Sequence, residues 1–466
     1  MTDFASLLRP DRGEPARPLH LVDSGLLPEW LKSQAGQRRA LIEAARFEGK
    51  AGQFLLVPGS GAGEWEALVG VGKLAELTPW CLAVAAERLP EGTYRLAGEM
   101  VPGASALGWL LAQHRFTSYK SKTEEPFGPR VLLSTEPARV DEMVRLADAN
   151  ALVRDLVDTP AADLGPAELE RAVGDWARSA GAEFEVTRGD ALEQGYPMIH
   201  AVGAAAVPSR APRLIEARWG DPSHPKLAIV GKGVVFDTGG LDLKPAAGMR
   251  LMKKDMGGAA HALALARLIV AERWPVRLHL LIPAVENAVS GGAFRPGDVL
   301  TSRKGLKVEI DNTDAEGRLI LADALTRAAE EGAQTIVDFA TLTGAARVAL
   351  GPDLPATFSN DEGLSADLLA GGTEVSDPLW RLPLWDGYDD MLKSELADLS
   401  NSADSPFAGT ITAALFLRRF VHEGTAWAHL DTFAWRPAPR PGRPKGGEAL
   451  GLRAVHAALA RRFRRT

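Results

Sequence analysis

The sequence predicts an α/β protein in which a smaller N-terminal α/β domain precedes a larger C-terminal domain with a mostly parallel central sheet flanked by helices. Three observations carry this. Apolar runs with almost no polar alternation, LAIV (227–230), LHLLIPAV (278–285) and TIVDFATL (335–342), are separated by helical stretches such as AAHALALARLIVAERW and RLILADALTRAAEE. Strands of that kind are covered on both faces, as in parallel sheets with crossover helices. Residues 1 to about 135 follow a different pattern, short apolar runs interrupted by Gly and Pro turns. Between the two patterns, Val140, Met143, Val144, Leu146, Leu152, Leu156 and Val157 fall at helical spacing until Asp158-Thr159-Pro160 stops them.

Taken in order, FLLVPGSGAGEWEALVGVG reads as two strands around a glycine-rich turn. GSGAGE has the look of a phosphate loop, but no suitable helix follows, and neither Lys50 nor Lys73 is followed by Ser or Thr, so a plain turn is the better reading. Cys81, the only cysteine, excludes an internal disulfide and a thiolate metal cluster; in TPWCLAVAAE it reads as a buried structural residue. The helix beginning near Pro137 is a natural connector, which divides the chain into an N-terminal domain (1–136), a connecting helix and linker (137–164) and a C-terminal domain (165–466). Near the end, WRPAPRPGRPKGG (435–447) reads as an extended surface loop, and Arg461, Arg462, Arg464 and Arg465 as part of a solvated terminal helix.

With 466 residues, 46% of them hydrophobic, the chain can fill two or three packed domains. A net charge of -7 disfavours a general binder of nucleic acid or anionic membrane, which needs clustered positive charge. No stretch approaches the ~20 apolar residues of a membrane span, and MTDFASLLRP lacks a basic start followed by an apolar core. The expected location is the cytoplasm, with no membrane partner.

Charged residues gather where the predicted strands end. LAIV runs into GKGVVFDTGGLDLKP, LMKKDMGGAA leads into a helix, and KVEI runs into DNTDAEGR. Together these stretches supply Asp237, Asp242, Asp255, Asp311, Asp314 and Glu316 with Lys232, Lys244 and Arg318. Carboxylates crowded into a desolvated site protonate unless cations neutralise them. Nine scattered histidines include no His-x-x-x-His pair, and His261 and His279 lie in apolar patterns that suit satisfied core residues. A carboxylate-rich site therefore suits hard or borderline divalent ions such as Mg²⁺, Mn²⁺ or Zn²⁺. Capping is the plain structural alternative for Asp314 or Glu316 before the helix. Capping does not account for three acidic loops flanked by Gly231, Gly233, Gly239, Gly240, Gly257, Gly258 and Gly317, a density that suits close approach of backbone to ions or substrate.

In order and spacing, VGKGVVFDTGG, the Lys-Pro of LDLKP, DMGGAA, NTDAEGRL and FATLTGA resemble the motifs of the leucyl (cytosol) aminopeptidase family of dinuclear metallopeptidases. The resemblance runs from about residue 150 to 430 and includes AGTITAALFL (408–417) and WAHLD (427–431). It implies metal ligation by Lys232, Asp237, Asp255, Asp314 and Glu316, with two divalent ions (Mn or Zn) per subunit. Lys244 would stabilise the developing oxyanion, and Arg318 would hold a bicarbonate ion acting as general base. Met252, Asn312 and Thr341 would line the first side-chain pocket, and the backbone of Leu342 and Gly344 would receive the substrate main chain. The implied activity is release of N-terminal residues, Leu and other apolar ones preferred, from peptides with a free amino terminus. Intracellular peptide turnover by a homohexamer is implied as well. Asp311 is left over, with a role in a turn or in support of the ligands.

Two other readings differ in class. A dinuclear phosphoesterase also clusters carboxylates, but its sites usually recruit histidines and these motifs contain none. A DNA-binding protein on the same scaffold is disfavoured by the acidic net charge and by the intact charged positions.

Overall fold

A computed structural model describes residues 2–59, 61, 63–121 and 128–464. By contacts the chain forms two units, Met1–Ala151 with Ala438–Lys445, and Leu152–Pro437 with Gly446–Thr466. The division falls inside helix Pro137–Asp158, which ends where Thr159-Pro160 removes the conditions for continuing it. Residues 438–445, expected within 165–466, group with the first unit.

The first unit is built on a six-stranded sheet in the order Leu8–Pro10, Arg130–Ser134, Gly92–Leu96, Arg17–Asp23, Trp65–Gly72, Phe54–Pro58. All neighbours are parallel except the last pair, an antiparallel hairpin in which Phe54 faces Val69 and Pro58 faces Trp65. GSGAGE is the connection of that hairpin, with Ser60 and Ala62 outside the described residues. Cys81 is half-buried and accepts a hydrogen bond from the Thr78 amide at 3.2 Å.

In the second unit a nine-stranded sheet runs Trp380–Arg381, Ala356–Ser359, Ala426–Asp431, Thr335–Ala340, Lys226–Gly231, Arg277–Asn287, Arg213–Trp219, Glu183–Arg188. A ninth strand, Gly233–Asp237, pairs with the far end of Arg277–Asn287. The central strands are parallel and the antiparallel pairs lie toward the edges. LAIV, LHLLIPAV and TIVDFA occupy three adjacent central strands that are almost wholly buried. Two-sided burial explains their lack of alternation.

Helices Gly257–Ala271 and Glu316–Glu330 pack on this sheet. Two glycines set how closely the first one lies. A Cβ on Gly258 would stand 2.1 Å from the Phe339 carbonyl oxygen, and one on Gly231 would stand 2.6 Å from Ala259 Cα. The helix start is thereby pressed against the ends of the central strands, where parallel sheets present ligands.

The loop expected at 435–447 is tied down at both ends. Trp435–Arg436 pairs with Gly446–Gly447, and buried Arg436 meets Glu448 at 3.2 Å and Asp353 at 3.0 Å. The terminal arginines are also engaged rather than simply solvated: Arg461 with Glu374, Arg462 with Asp361 and Asp367, Arg464 with Glu272. Arg465 lies outside the described residues. No described helix is long and apolar enough to cross a membrane.

Gly258→Ala should therefore lower the urea midpoint by the equivalent of about 3 kcal/mol, the upper end for overpacking against an immovable backbone. Gly248→Ala, where an added Cβ meets nothing within 4 Å, should be neutral or slightly stabilising. Equal midpoints for the two variants would contradict the packing argument.

Candidate metal centre

Each charged residue of the centre is delivered by the end of an element. Lys232 follows strand Lys226–Gly231, and its backbone is fixed by its N–H to the Phe339 carbonyl (3.0 Å) and by the Ala259 N–H to its own carbonyl (2.8 Å). Asp237 ends strand Gly233–Asp237. Asp255 lies in the short 3-10 turn Met252–Met256 that feeds helix Gly257–Ala271, and Glu316 opens helix Glu316–Glu330 with Asp314 two residues before it. Gly239 and Gly240 take φ of +89° and +65°, which turns the chain sharply after Asp237 and returns Lys244 to it.

The result is a dense buried cluster. One oxygen each of Asp237, Asp255 and Glu316 lies within 4.8 Å of the others, and these residues are no more than 2% exposed. The Lys232 ammonium stands 2.8 Å from Asp255 Oδ2 and 3.0 Å from Glu316 Oε1, and donates to the Thr341 carbonyl at 3.2 Å. Lys244 stands 2.8 Å from Asp237 Oδ2 and also contacts Asp314 Oδ1. A Cβ on Gly317 would meet Lys232 Cε at 2.6 Å and Nζ at 2.7 Å, so the glycine of NTDAEGRL is the space the lysine occupies. Arg318 is buried and donates from Nη1 to the Asn401 carbonyl at 2.7 Å.

Four carboxylates face two ammonium groups, and the imbalance is visible in their ionisation. Burial opposes the charge on Lys232, but Asp255, Glu316 and Asp237 outweigh it and hold the ammonium above the ordinary lysine range. Lys244 is raised against its own burial by Asp237, Glu316 and Asp314. Burial and Asp237 push Glu316 up to about 8 despite Lys232, and push Asp314 up to about 6 despite Lys244. Burial also opposes ionisation of Asp255, yet Lys232 and Lys254 keep it below the usual carboxylate range. Arg318 is lowered to about 10 by burial, with Glu316 and Asp431 opposing. Burial brings neighbouring Lys254 down to about 8.

Asp255 Oδ2, Asp314 Oδ1 and Glu316 Oε1 are buried and have no well-directed hydrogen bond. Buried oxygens in that condition, in an oxygen-rich donor set with surplus negative charge, fit divalent cations. The residues present therefore suit the group that the sequence implies.

Of the residues singled out from the sequence, Lys232, Asp237, Lys244, Met252, Asp255, Asn312, Asp314, Arg318, Thr341, Leu342 and Gly344 line one cavity of about 880 Å³. Glu316 is buried beside it. Asp242 does not join the cluster; its Oδ2 accepts the Thr313 amide at 2.7 Å and ties the two acidic loops together. Asp311 lies at a turn, its amide donating to Asn401 Oδ1 at 2.9 Å. His261 and His279 are satisfied core residues, the first between the Gly257 carbonyl and the Leu450 amide, the second on Glu216.

Three supporting residues had no sequence signal strong enough to find them. Asn287 donates to Asp237 Oδ1 at 2.9 Å, and Asn401 braces 311–315 with both ends of its amide. Asp431, the last residue of WAHLD, accepts the amides of Leu342 (3.0 Å) and Thr343 (3.2 Å) and the hydroxyls of Thr343 (2.6 Å) and Thr410 (3.2 Å). The Leu342 N–H is thus committed within the protein.

The model described as "Cytosol aminopeptidase family, catalytic domain" matches residues 151–456, and that described as "M17 aminopeptidase, N-terminal domain" matches residues 17–129. The chain belongs to the cytosol aminopeptidase family. A probable cytosol aminopeptidase of Syntrophotalea carbinolica is 38% identical over 93% of both chains, and one of a Geobacter species is 40% identical over 91% of both. Among solved structures, a cytosol aminopeptidase from Coxiella burnetii is 43% identical with a TM-score of 0.91, covering 98% of this chain and 99% of its own. The bottromycin maturation enzyme BotP in complex with Mn is 33% identical with a TM-score of 0.84, covering 98% and 99%. Membership of this family makes the chain a metal-dependent peptidase hydrolase with two-domain α/β architecture.

A carboxyl whose folded pKa lies above its unfolded value stabilises the fold while protonated, and that contribution is lost as pH rises through the folded value. With chelator present, stability should therefore fall as pH passes the values of Asp314, about 6, and Glu316, about 8. Glu316→Gln, which cannot ionise, should flatten the upper part of the decline. Denaturation at several pH values checks this, and a stability that rises over the same interval in both forms would contradict it.

Proposed function

We propose that the chain is a two-metal aminopeptidase that releases the N-terminal residue of peptides. The observation that carries this reading is the buried group of Asp237, Asp255 and Glu316, whose ligand oxygens share a space of metal-site size while opening onto a substrate-sized cavity. Asp237, Asp255, Asp314 and Glu316 would hold two divalent ions, Mn²⁺ or Zn²⁺, and Lys232, an ammonium while only the carboxylates face it, would join as a neutral amine once two neighbouring dications displace its proton. When bound, such ions lower the pKa of a water and polarise the scissile carbonyl.

The remaining groups then have distinct tasks. Lys244, which reaches the cluster from its rim, presents a positive charge to the oxyanion as it develops. Arg318 offers a planar fork that suits bicarbonate, and its Nε has no hydrogen-bond partner among the described residues, so the guanidinium retains donors for that anion. Arg318 would hold that anion, which would supply the general base. Met252, Asn312 and Thr341 border the first side-chain pocket, where the thioether favours medium apolar residues such as Leu. The Leu342 carbonyl and the backbone at Gly344 would align the substrate main chain.

A homohexamer working on peptides in the cytoplasm, in intracellular turnover, completes the proposal; a light-scattering mass of a single chain would contradict the assembly. Nothing specific favours the phosphoesterase, and the engaged C-terminal arginines weigh against DNA binding.

Leu-p-nitroanilide should be hydrolysed by the metal-loaded enzyme and its N-acetyl form should not, because the free amine is part of the binding mode. Equal turnover of the two would overturn that mode. Glu316→Ala should lose metal and activity together. Arg318→Ala leaves every carboxylate in place and should keep near-normal metal content with kcat lowered about 10²-fold, partly rescued by added bicarbonate. A folded Arg318→Ala stripped of metal would show instead that the arginine organises the site.

A further inference from the structure

Beside the metal ligands, Lys244 and Arg318, the cavity has a second cationic wall, formed by Lys254 and Arg347. Lys254 immediately precedes Asp255 in the turn Met252–Met256, is 5% exposed, and lines the cavity. Its ammonium makes no hydrogen bond among the described residues. The closest carboxylate oxygen, Asp255 Oδ1, stands 3.9 Å away and already accepts the Thr341 hydroxyl at 2.6 Å. What the ammonium does face is the Phe433 ring, at 5.3 Å from the centroid. The exposed Arg347 guanidinium lies over the same ring at 4.9 Å and is likewise without an ion pair among the described residues.

A buried ammonium with its donors unmet is unfavourable by several kcal/mol, and folds retain one where something else supplies the acceptor. Asp431, the other acidic group nearby, is saturated by the four donors described above and is not that acceptor. Among the described residues no further acceptor is at hand, so the ammonium is left to water or to a ligand in the cavity it lines. The Lys254 ammonium stands 3.9 Å from the same Asp255 oxygen that accepts the Thr341 hydroxyl, which puts its charge beside Thr341, one of the residues proposed for the side-chain pocket. An N-terminal side chain that passes a thioether wall and ends on a buried cation is a short aliphatic stem carrying a carboxylate.

We infer that Lys254, assisted by Arg347, makes the first side-chain pocket a receptor for a carboxylate, so that N-terminal glutamate and aspartate are accepted alongside apolar residues. The inference rests on the aminopeptidase reading and on the place of Met252 and Thr341 in that pocket. The Glu-to-Gln comparison isolates it, because the two side chains share shape and differ in charge.

The test uses the full-length, metal-loaded enzyme with Glu-, Asp-, Gln- and Leu-p-nitroanilide. The wild type should prefer Glu over Gln by about tenfold or more in kcat/KM, the scale of one charge-assisted hydrogen bond. In Lys254→Met that ratio should collapse toward one, and in Arg347→Met it should fall by less. Free glutamate should inhibit Leu-p-nitroanilide hydrolysis more strongly than free glutamine, again only while Lys254 is present. Should Lys254→Met be inactive on every substrate, Lys254→Arg, which keeps the cation, must retain the preference, and calorimetric titration of the folded Lys254→Met with glutamate must show weakened binding. Leu turnover with no preference for Glu over Gln, or the same ratio in Lys254→Met, overturns the inference and spares the aminopeptidase reading. A Lys254 effect seen only between Leu-Gly and its C-terminal amide overturns it too, by locating the carboxylate downstream. Failure to cleave any aminoacyl substrate would sink both readings.

Discussion

Burying four carboxylates within a few ångströms of one another is the constraint on which the second unit depends. Left alone, such a group would take up protons or force the loops apart, since each ion removed from water loses solvation that only an opposite charge at close range restores. Lys232 and Lys244 supply part of that charge and fix where the rest must go. Lys232 touches Asp255 and Glu316, Lys244 touches Asp237 and Asp314, and the pairs are interleaved so that no carboxylate lacks a cation. Burial first, and Asp237 after it, still raise Glu316 and Asp314 against the pull of the two ammonium groups.

The sheet exists in the form it does because these residues arrive from distant parts of the chain. Parallel strands end at one edge, and Lys232, Asp237, Thr341 and Asp431 lie at or just past such ends. Small residues then set the distances: Gly258 lets a helix touch the Phe339 carbonyl, and Gly317 leaves the volume of a lysine stem. A bulkier residue at either place would move a charge by more than the tolerance of an ion site, which is a few tenths of an ångström. The glycine density noticed in the sequence thus has two different causes here, backbone turning at Gly239 and Gly240 and close packing at Gly258 and Gly317.

Much of this was legible in the sequence because the informative residues are local. A strand that loses its alternation, a helix that starts with acids, and NTDAEGRL as one contiguous string each declare themselves within about ten residues, and the α/β architecture follows from their succession. Asn287, Asn401 and Asp431 were not legible for the opposite reason. Asn401 acts on Asp311 and Asn312, and Asp431 on Leu342 and Thr343, about ninety residues away in each case. An Asn in DLSNS or an Asp ending WAHLD has no local feature that separates a brace from a turn residue. At 435–447 composition tells only part of the story: Pro and Arg suggest solvent, which holds for the middle of the stretch, but Arg436 is held between Glu448 and Asp353. Lys254 carries no signal of its own beside the more recognisable Asp255, since sequence alone does not distinguish a lysine that snorkels outward from one that turns into a cavity.

Asp431 gathers two amides and two hydroxyls from residues 342, 343 and 410, and it is itself the last residue of a strand inside the main sheet. The segment that borders the cavity is therefore anchored to the stiffest part of the unit and moves with the amplitude of a β-sheet rather than that of a surface loop. Incoming peptides meet a wall already in its working shape, with little ordering entropy left to lose on contact. Discrimination among them then appears mainly in how long each one stays, because the rate of arrival at a pre-shaped cleft is nearly the same for all.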